Sequence, residues 1–428
     1  MERPPEYLKP LADHIARVAA SEDATEIVRL LRVSGLIGGS PNYDAVNAGD
    51  DVGADVMDEL SALSNAGRFG IWERKVENGK PCFVRRVDTV EDWHYWSNLG
   101  RIEPKGNKRR VAYIGESVAR GYLYDPAFTP AQVLQKILDT QFEDGEVEVI
   151  DLARTNLGFE VRELALAALQ LEPDVAIIFA GNNWGVNRPE PTDIADIHEA
   201  LSTQGMAGTK KISEAQIVKS GRRVVCDVSA AYKARGVPLI WMIPEFNLGD
   251  WRDAVINAPY LPGDLNRQWL SLLEEAQSAL RDHDFDKAEK LGEQMIEIDR
   301  GVSVAGFYIL AECRRAAKDH DGERKYRELA RDAACWDSSM PYIPRPHALT
   351  QQIMRDEQSK YGYQTVDLPA LLKQYLNGEI PDRRLFLDYC HLTTEGIQIT
   401  MSAAASCVLR ALKGIEAAWY TLMDEHMT

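Results

Sequence analysis

Ser117 leaves the apolar run at 111–114 through Gly115 and Glu116, and a second glycine, Gly121, follows four residues later. Two readings fit that stretch. One is a strand-to-helix turn in which Ser117 is a helix cap. The other is a nucleophile presented at the carboxyl end of a strand, beside helix N–H groups able to stabilise an oxyanion. An alkyl hydroxyl is a weak nucleophile near neutral pH, so the second reading requires a base and a carboxylate elsewhere in the chain. "LFLDYCHLTTEGI" at 385–397 offers both, with Asp388 three residues before His391. That spacing brings two side chains to the same side of a turn or helix. Taken alone, the pair also reads as an ordinary surface His–Asp contact.

Two more stretches could supply hydrogen-bond donors. In "IIFAGNNWG", 177–185, a glycine permits close backbone approach and a following asparagine amide can donate into a pocket. In "DLARTNLGFE", 151–160, Gly158 could offer an unobstructed N–H. Each stretch is also a plausible plain loop.

The elements that must position these residues are legible as alternation. Strand-like apolar runs at 111–114, 147–152, 174–180, 238–243 and 363–367 interleave with helical patterns near 129–141, 160–171, 223–235, 347–361 and 393–413. Such alternation implies a parallel sheet covered on both faces, with ligands outside the carboxyl ends of its strands. All four stretches fall at or beside those ends.

The four stretches together resemble the SGNH/GDSL hydrolase superfamily, whose sequence blocks supply Ser, Gly, Asn and His. The resemblance covers roughly 111–415 and is nearest to the branch with a tetratricopeptide-like helical segment inserted before the last block, where "GES" replaces "GDS". It implies a three-layer α/β/α, flavodoxin-like fold and acyl-ester chemistry that needs no metal or organic cofactor. By resemblance Ser117 is the nucleophile, His391 the general base and Asp388 its orienting carboxylate. Ser117, Gly158 and Asn183 form the oxyanion hole, the Gly-x-Asn pattern selecting Asn183 over Asn182. Two positions depart from the family's pattern: Trp184 stands where an acid usually follows the asparagine, and Glu116 where aspartate is commoner. The rival readings are an acyltransferase or thioesterase acting on a carrier-bound acyl group, and an inactive interaction module.

The chain of 428 residues divides into an N-terminal α+β extension (1–104), a first hydrolase part (105–268), a helical insertion (269–336) and a second hydrolase part (337–428). In the extension, helical signals at 6–33 and 53–65 precede a hairpin turning at Asn78-Gly79. The aromatics of "DWHYWSNLG", 92–100, read as core or as a binding surface. Pro189 and Pro191, with several Gly and Ser, make 185–222 look like an irregular excursion over the site. Within the insertion, "DHDFDKAEKL" at 282 is echoed by "DHDGERKYREL" at 319, an offset of 37 residues close to a tetratricopeptide period. Such a segment reads as a wall for substrate, a docking face for a protein partner, or simple packing. A net charge of −17 argues against nucleic acid or an anionic membrane as partner. The six cysteines form no CxxC pair, and no apolar run has signal-peptide or membrane-spanning length, so a cytoplasmic location is expected.

Overall fold

Alternating side chains and a tight turn build a small antiparallel sheet before the main one begins. The computed structural model describes residues 67–185, 194–252, 261, 263–334 and 343–427. Its first strands are β1 (Arg68–Phe69), β2 (Trp72–Glu77), β3 (Lys80–Arg85) and β4 (Arg101–Ile102), paired in that order. Asn78 and Gly79 join β2 to β3 with φ of 52° and 75°, the positive values that a two-residue hairpin turn requires. Trp96 packs edge-on to Trp72, ring centroids 5.0 Å apart, in a core shared with Phe69 and Phe83. The aromatics of 92–100 thus serve both roles: Trp96 is core, and together with Trp93 and His94 it also lines a cavity. The helical signals at 6–33 and 53–65 lie outside the described residues.

The main sheet follows. In chain order come β5 (Arg109–Gly115), α1 (Ser117–Arg120), α2 (Pro130–Asp139), β6 (Val147–Asp151), α3 (Val161–Ala168), β7 (Val175–Phe179), α4 (Ile194–Gln204), α5 (Met206–Ala234) and β8 (Leu239–Ile243). After the insertion come α10 (Ala348–Asp356), α11 (Gln358–Tyr361), β9 (Gln364–Asp367), α12 (Leu368–Tyr375), α13 (Thr394–Lys413) and α14 (Trp419–Met427). The strands lie in the order β6-β5-β7-β8-β9, every pair parallel, which is the flavodoxin-like order. β7 and β8 are buried at every residue, and successive side chains feed opposite layers. Ala112, Ile114, Ile178 and Trp241 face Val224, Val228 and Ile353 from α5 and α10. Val111, Tyr113, Ile177 and Met242 face Leu134, Leu372 and Val408 from α2, α12 and α13. The three-layer α/β/α expectation holds.

One expectation does not. Residues 194–204 and 206–234 are helical, so the described part of 185–222 is no irregular excursion. The helix read at 223–235 is the second half of α5; Pro189 and Pro191 lie outside the described residues.

The segment read as a helical insertion is helical where described, with α6 (Gly263–Arg281), α7 (Phe285–Asp299), α8 (Val304–Ala316) and α9 (His320–Ala334). Before α7, His283 takes φ 60° and Asp284 accepts from Lys287 N; before α9, Lys318 takes φ 56° and Asp319 accepts from Gly322 N. The same capped turn is thus built twice, in a register two residues shorter than the echoed letters. Among the described residues no helix is long and apolar enough to cross a membrane. Cys82, Cys226, Cys313, Cys390 and Cys407 are buried and free.

Candidate active site

Gly115 ends β5 where no side chain fits: a Cβ there would stand 2.3 Å from Phe179 O and 2.5 Å from Ala119 Cβ. α1 starts two residues on and closes after one turn at Gly121, whose φ is 77°. The two glycines of that stretch bracket a single helical turn. Ser117 does not cap it, because the N-cap position is Glu116 and no side chain serves there. Instead Ser117 Oγ lies 2.9 Å from His391 Nε2, and His391 Nδ1 lies 2.7 Å from Asp388 Oδ2.

The turn before α13 holds the carboxylate in place. Asp388 Oδ1 accepts from the N–H groups of Cys390 and His391, both at 2.9 Å. Leu387 N donates to His391 O at 2.7 Å, and Thr393 caps α13 by accepting from Gly396 N. Burial pushes the Asp388 carboxyl up, but the bond from His391 and the two amides outweigh it and hold the group below its ordinary value. A charged Asp388 fixes the proton on Nδ1, leaving Nε2 to accept from the Ser117 hydroxyl. Cys390 Sγ stands 4.0 Å from Nδ1, and burial keeps its thiol well above the usual range, so it stays neutral. Asp388, Cys390 and His391 gather ligand-type atoms within 4.8 Å, but Nδ1 is already committed to Asp388 and the thiol holds its proton, a poor donor set for a cation.

On the other side of Ser117, Glu116 moulds the turn after β7. Its buried carboxyl accepts from Gly181 N at 3.0 Å and Asn182 N at 2.9 Å, with Asn183 N shared between both oxygens. Burial pushes this carboxyl up to about 8 against the pull of those amides. Asn183 Nδ2 donates to Leu157 O at 2.7 Å, tying the β7 loop to the residue before Gly158. The Gly158 N–H donates to Glu160 Oε2 at 3.0 Å, so that donor already has an anionic acceptor from its own loop. Trp184 is buried, stacked on Phe159 at 5.4 Å and edge-on to Trp241, so it enters the core rather than the site wall.

The structure brings Ser117, His391 and Asp388 into one chain of hydrogen bonds and sets Asn183 against the loop of Gly158. Sequence reasoning missed Glu116 as the mould of the β7 turn, although its place beside Ser117 was a signal. It also missed the rings of Tyr122 and Tyr389, 5.1 and 5.7 Å from His391. Nothing in their spacing marks them.

The fold is a three-layer α/β/α domain with the flavodoxin-like strand order, and Ser117 follows the carboxyl end of β5, the strand between β6 and β7. No family model and no curated protein matches the sequence. Among solved structures the chain is similar to an acetylxylan esterase from Geobacillus stearothermophilus, at 12% identity and a TM-score of 0.35, over 73% of this chain and 97% of that one. It is similar to an α/β hydrolase from the metagenome of Lake Arreo, Spain, at 14% identity and a TM-score of 0.33, over 71% and 94%. A lipase/acylhydrolase from Enterococcus faecalis is similar at 14% identity and a TM-score of 0.30, over 72% and 99%.

Proposed function

We propose that this chain is a serine hydrolase of acyl esters. The observation that carries the reading is the hydrogen-bond chain Ser117–His391–Asp388, at 2.9 and 2.7 Å. His391 Nε2 takes the hydroxyl proton as Ser117 Oγ attacks the ester carbonyl, and Asp388 stabilises the imidazolium that forms. Collapse of the tetrahedral intermediate expels the alkoxide, which receives that proton from His391 and leaves an acyl group on Ser117. Water then repeats the sequence: His391 takes its proton, the acyl–oxygen bond breaks, and Ser117 recovers its hydrogen. The oxyanion is met by the Ser117 N–H and the second hydrogen of Asn183 Nδ2, whose first is engaged by Leu157 O. Gly158 joins as a third donor when Glu160 releases its N–H.

The test uses p-nitrophenyl acetate and an organophosphonate probe. The parent should hydrolyse the ester and carry the probe on Ser117, and Ser117→Ala should do neither while melting as the parent does. A parent that is neither labelled nor active would overturn the reading in favour of an interaction module. Asn183→Ala should lower kcat roughly a hundredfold with a smaller change in KM, because its donor acts on charge that develops in the transition state.

A further inference from the structure

Three arginines meet at the seam between the small antiparallel sheet and α1, and among the described residues only Arg120 has a carboxylate paired with it. Arg120 Nη1 donates to His94 O and Thr155 Oγ1, both at 2.7 Å, and its Nη2 donates to Asp125 Oδ2 at 2.5 Å. Arg154 lies over the Trp96 ring, 5.5 Å from its centroid, and forms no ion pair among the described residues. Arg85 lies over the Trp93 ring at 5.2 Å and donates to two carbonyls, Leu99 O at 3.1 Å and Ser97 O at 2.6 Å. Among the described residues it too has no carboxylate partner.

Arg85 and Arg120 line one cavity of about 270 Å³, together with Trp93, Asn98, Asp125 and Pro126. Burial and the neighbouring Arg120 charge both push the Arg85 guanidinium below its ordinary value. Arg120 is paired with Asp125 and lies near the buried Asp151, whereas Arg85 has no carboxylate among the described residues, so positive charge is in excess at the Arg85 side of the cavity on a chain whose net charge is −17. A partly buried cation without a counter-charge is costly, and a ligand anion placed between the two guanidiniums offsets that cost with charge-assisted hydrogen bonds. The cavity is also built on the segments that serve the serine: Arg120 shares α1 with Ser117, and Thr155 belongs to the loop that carries Gly158.

We propose that this cavity binds an anionic group, a carboxylate or a phosphate, carried by the ester substrate. The proposal rests on the reading of Ser117 as nucleophile. The anion sits between Arg85 and Arg120, with its carbon skeleton against Trp93 and Pro126.

Matched substrates test it. p-Nitrophenyl succinate against p-nitrophenyl butyrate places the charge on the acyl side. An acetylated methyl glucuronoside or acetylated glucose 6-phosphate, against the acetylated methyl glucoside, places a carboxylate or a phosphate on the alcohol side. In at least one pair the charged member should be favoured roughly tenfold or more in kcat/KM, chiefly through KM. The preference should shrink as NaCl rises from about 0.05 to about 0.5 M. Arg85→Gln should abolish it and Arg85→Lys should retain part of it. No preference in any pair, or one that survives Arg85→Gln, overturns the proposal. Should Arg85→Gln fail to fold, the parent decides: a preference indifferent to salt overturns it. Calorimetry with inorganic phosphate and methyl glucuronoside separates this proposal from the one it rests on. Arg85-dependent binding without any ester turnover removes Ser117 as nucleophile and keeps the cavity; turnover without charge preference or binding does the reverse.

Discussion

Asp388 works through geometry as much as through charge. Its Oδ1 is fixed by two backbone N–H groups and its Oδ2 is left for His391. Because the carboxyl is held below its ordinary value, it remains charged across the range in which an imidazole titrates and adds no ionisation of its own there. kcat/KM should therefore rise with pH as the general base becomes neutral. Asp388→Asn keeps the shape but offers an amide that favours the wrong tautomer, so kcat should fall by about 10⁴. A variant as fast as the parent, or a profile flat between about pH 5 and 9, would remove the triad. Glu160 sets a second residue-scale expectation. Its carboxylate occupies the Gly158 N–H at 3.0 Å, and Glu160→Ala frees that donor and removes a negative charge from the loop. kcat on p-nitrophenyl acetate should rise severalfold, by the value of one added oxyanion donor less the cost of reorienting it. A fall in kcat would show that Glu160 shapes the loop and that Gly158 is no donor.

At the scale of elements, the insertion is fastened to the site by a buried ion pair. Arg324 of α9 donates from both terminal nitrogens to Glu245 Oε2, and the Glu245 side chain is 0% exposed. Glu245 opens the segment after β8 that reaches Trp251, which packs on Tyr389 at 5.3 Å, and Tyr389 in turn packs on His391. Arg324→Met leaves that carboxylate buried and unpaired, so chemical denaturation should show a loss of roughly 3–5 kcal/mol. Adding Glu245→Met should recover most of it; a single variant as stable as the parent would mean that the pair is not formed. Excising α6–α9 without also neutralising Glu245 should therefore fail for electrostatic reasons, whatever the insertion does for substrate. The elements that carry the site were the most legible in sequence, since each of the five parallel strands overlaps a short run read as strand-like and α2 and α13 show helical spacing. α5 was legible only from about 223 onward, because the Pro, Gly and Ser of 185–222 read as an excursion, and Gly208 and Gly221 are two of those glycines. Both lie inside the helix at close contacts, with Ala200 O and with the Trp184 ring, and tertiary packing overrides their propensity. The residues of the Ser117–His391–Asp388 hydrogen-bond chain were legible because their types and order are jointly specific. The hydrogen bonds of Glu116 and Glu160 were not, since they depend on where two loops meet in space.

For the whole molecule, Glu116 couples stability to pH. Its folded-state pKa, pushed up to about 8 first by burial, lies above the ordinary 4.5. Between those values the folded chain keeps a proton that the unfolded chain has released, so the free energy of unfolding falls as pH rises. The contribution is complete below about pH 4.5 and is lost as pH climbs through about 8. General self-repulsion in a chain of net charge −17 runs in the same direction, and salt separates the two. Repulsion between exposed carboxylates is screened at high ionic strength, whereas the cost of ionising a group buried at 0% exposure is not. In about 0.5 M NaCl the parent's Tm should still drop between about pH 5.5 and 8.5. Glu116→Gln should melt lower at neutral and acid pH, because its NH₂ must face one of the backbone N–H groups that the carboxyl accepts, and its Tm should fall less steeply across that range, the slope that remains coming from the buried Asp151 carboxyl, pushed up to about 7. The slope is the readout, since the lower plateau alone would follow from any disturbed turn. Equal slopes for parent and variant at high salt would place the pH dependence elsewhere and remove Glu116 as its origin.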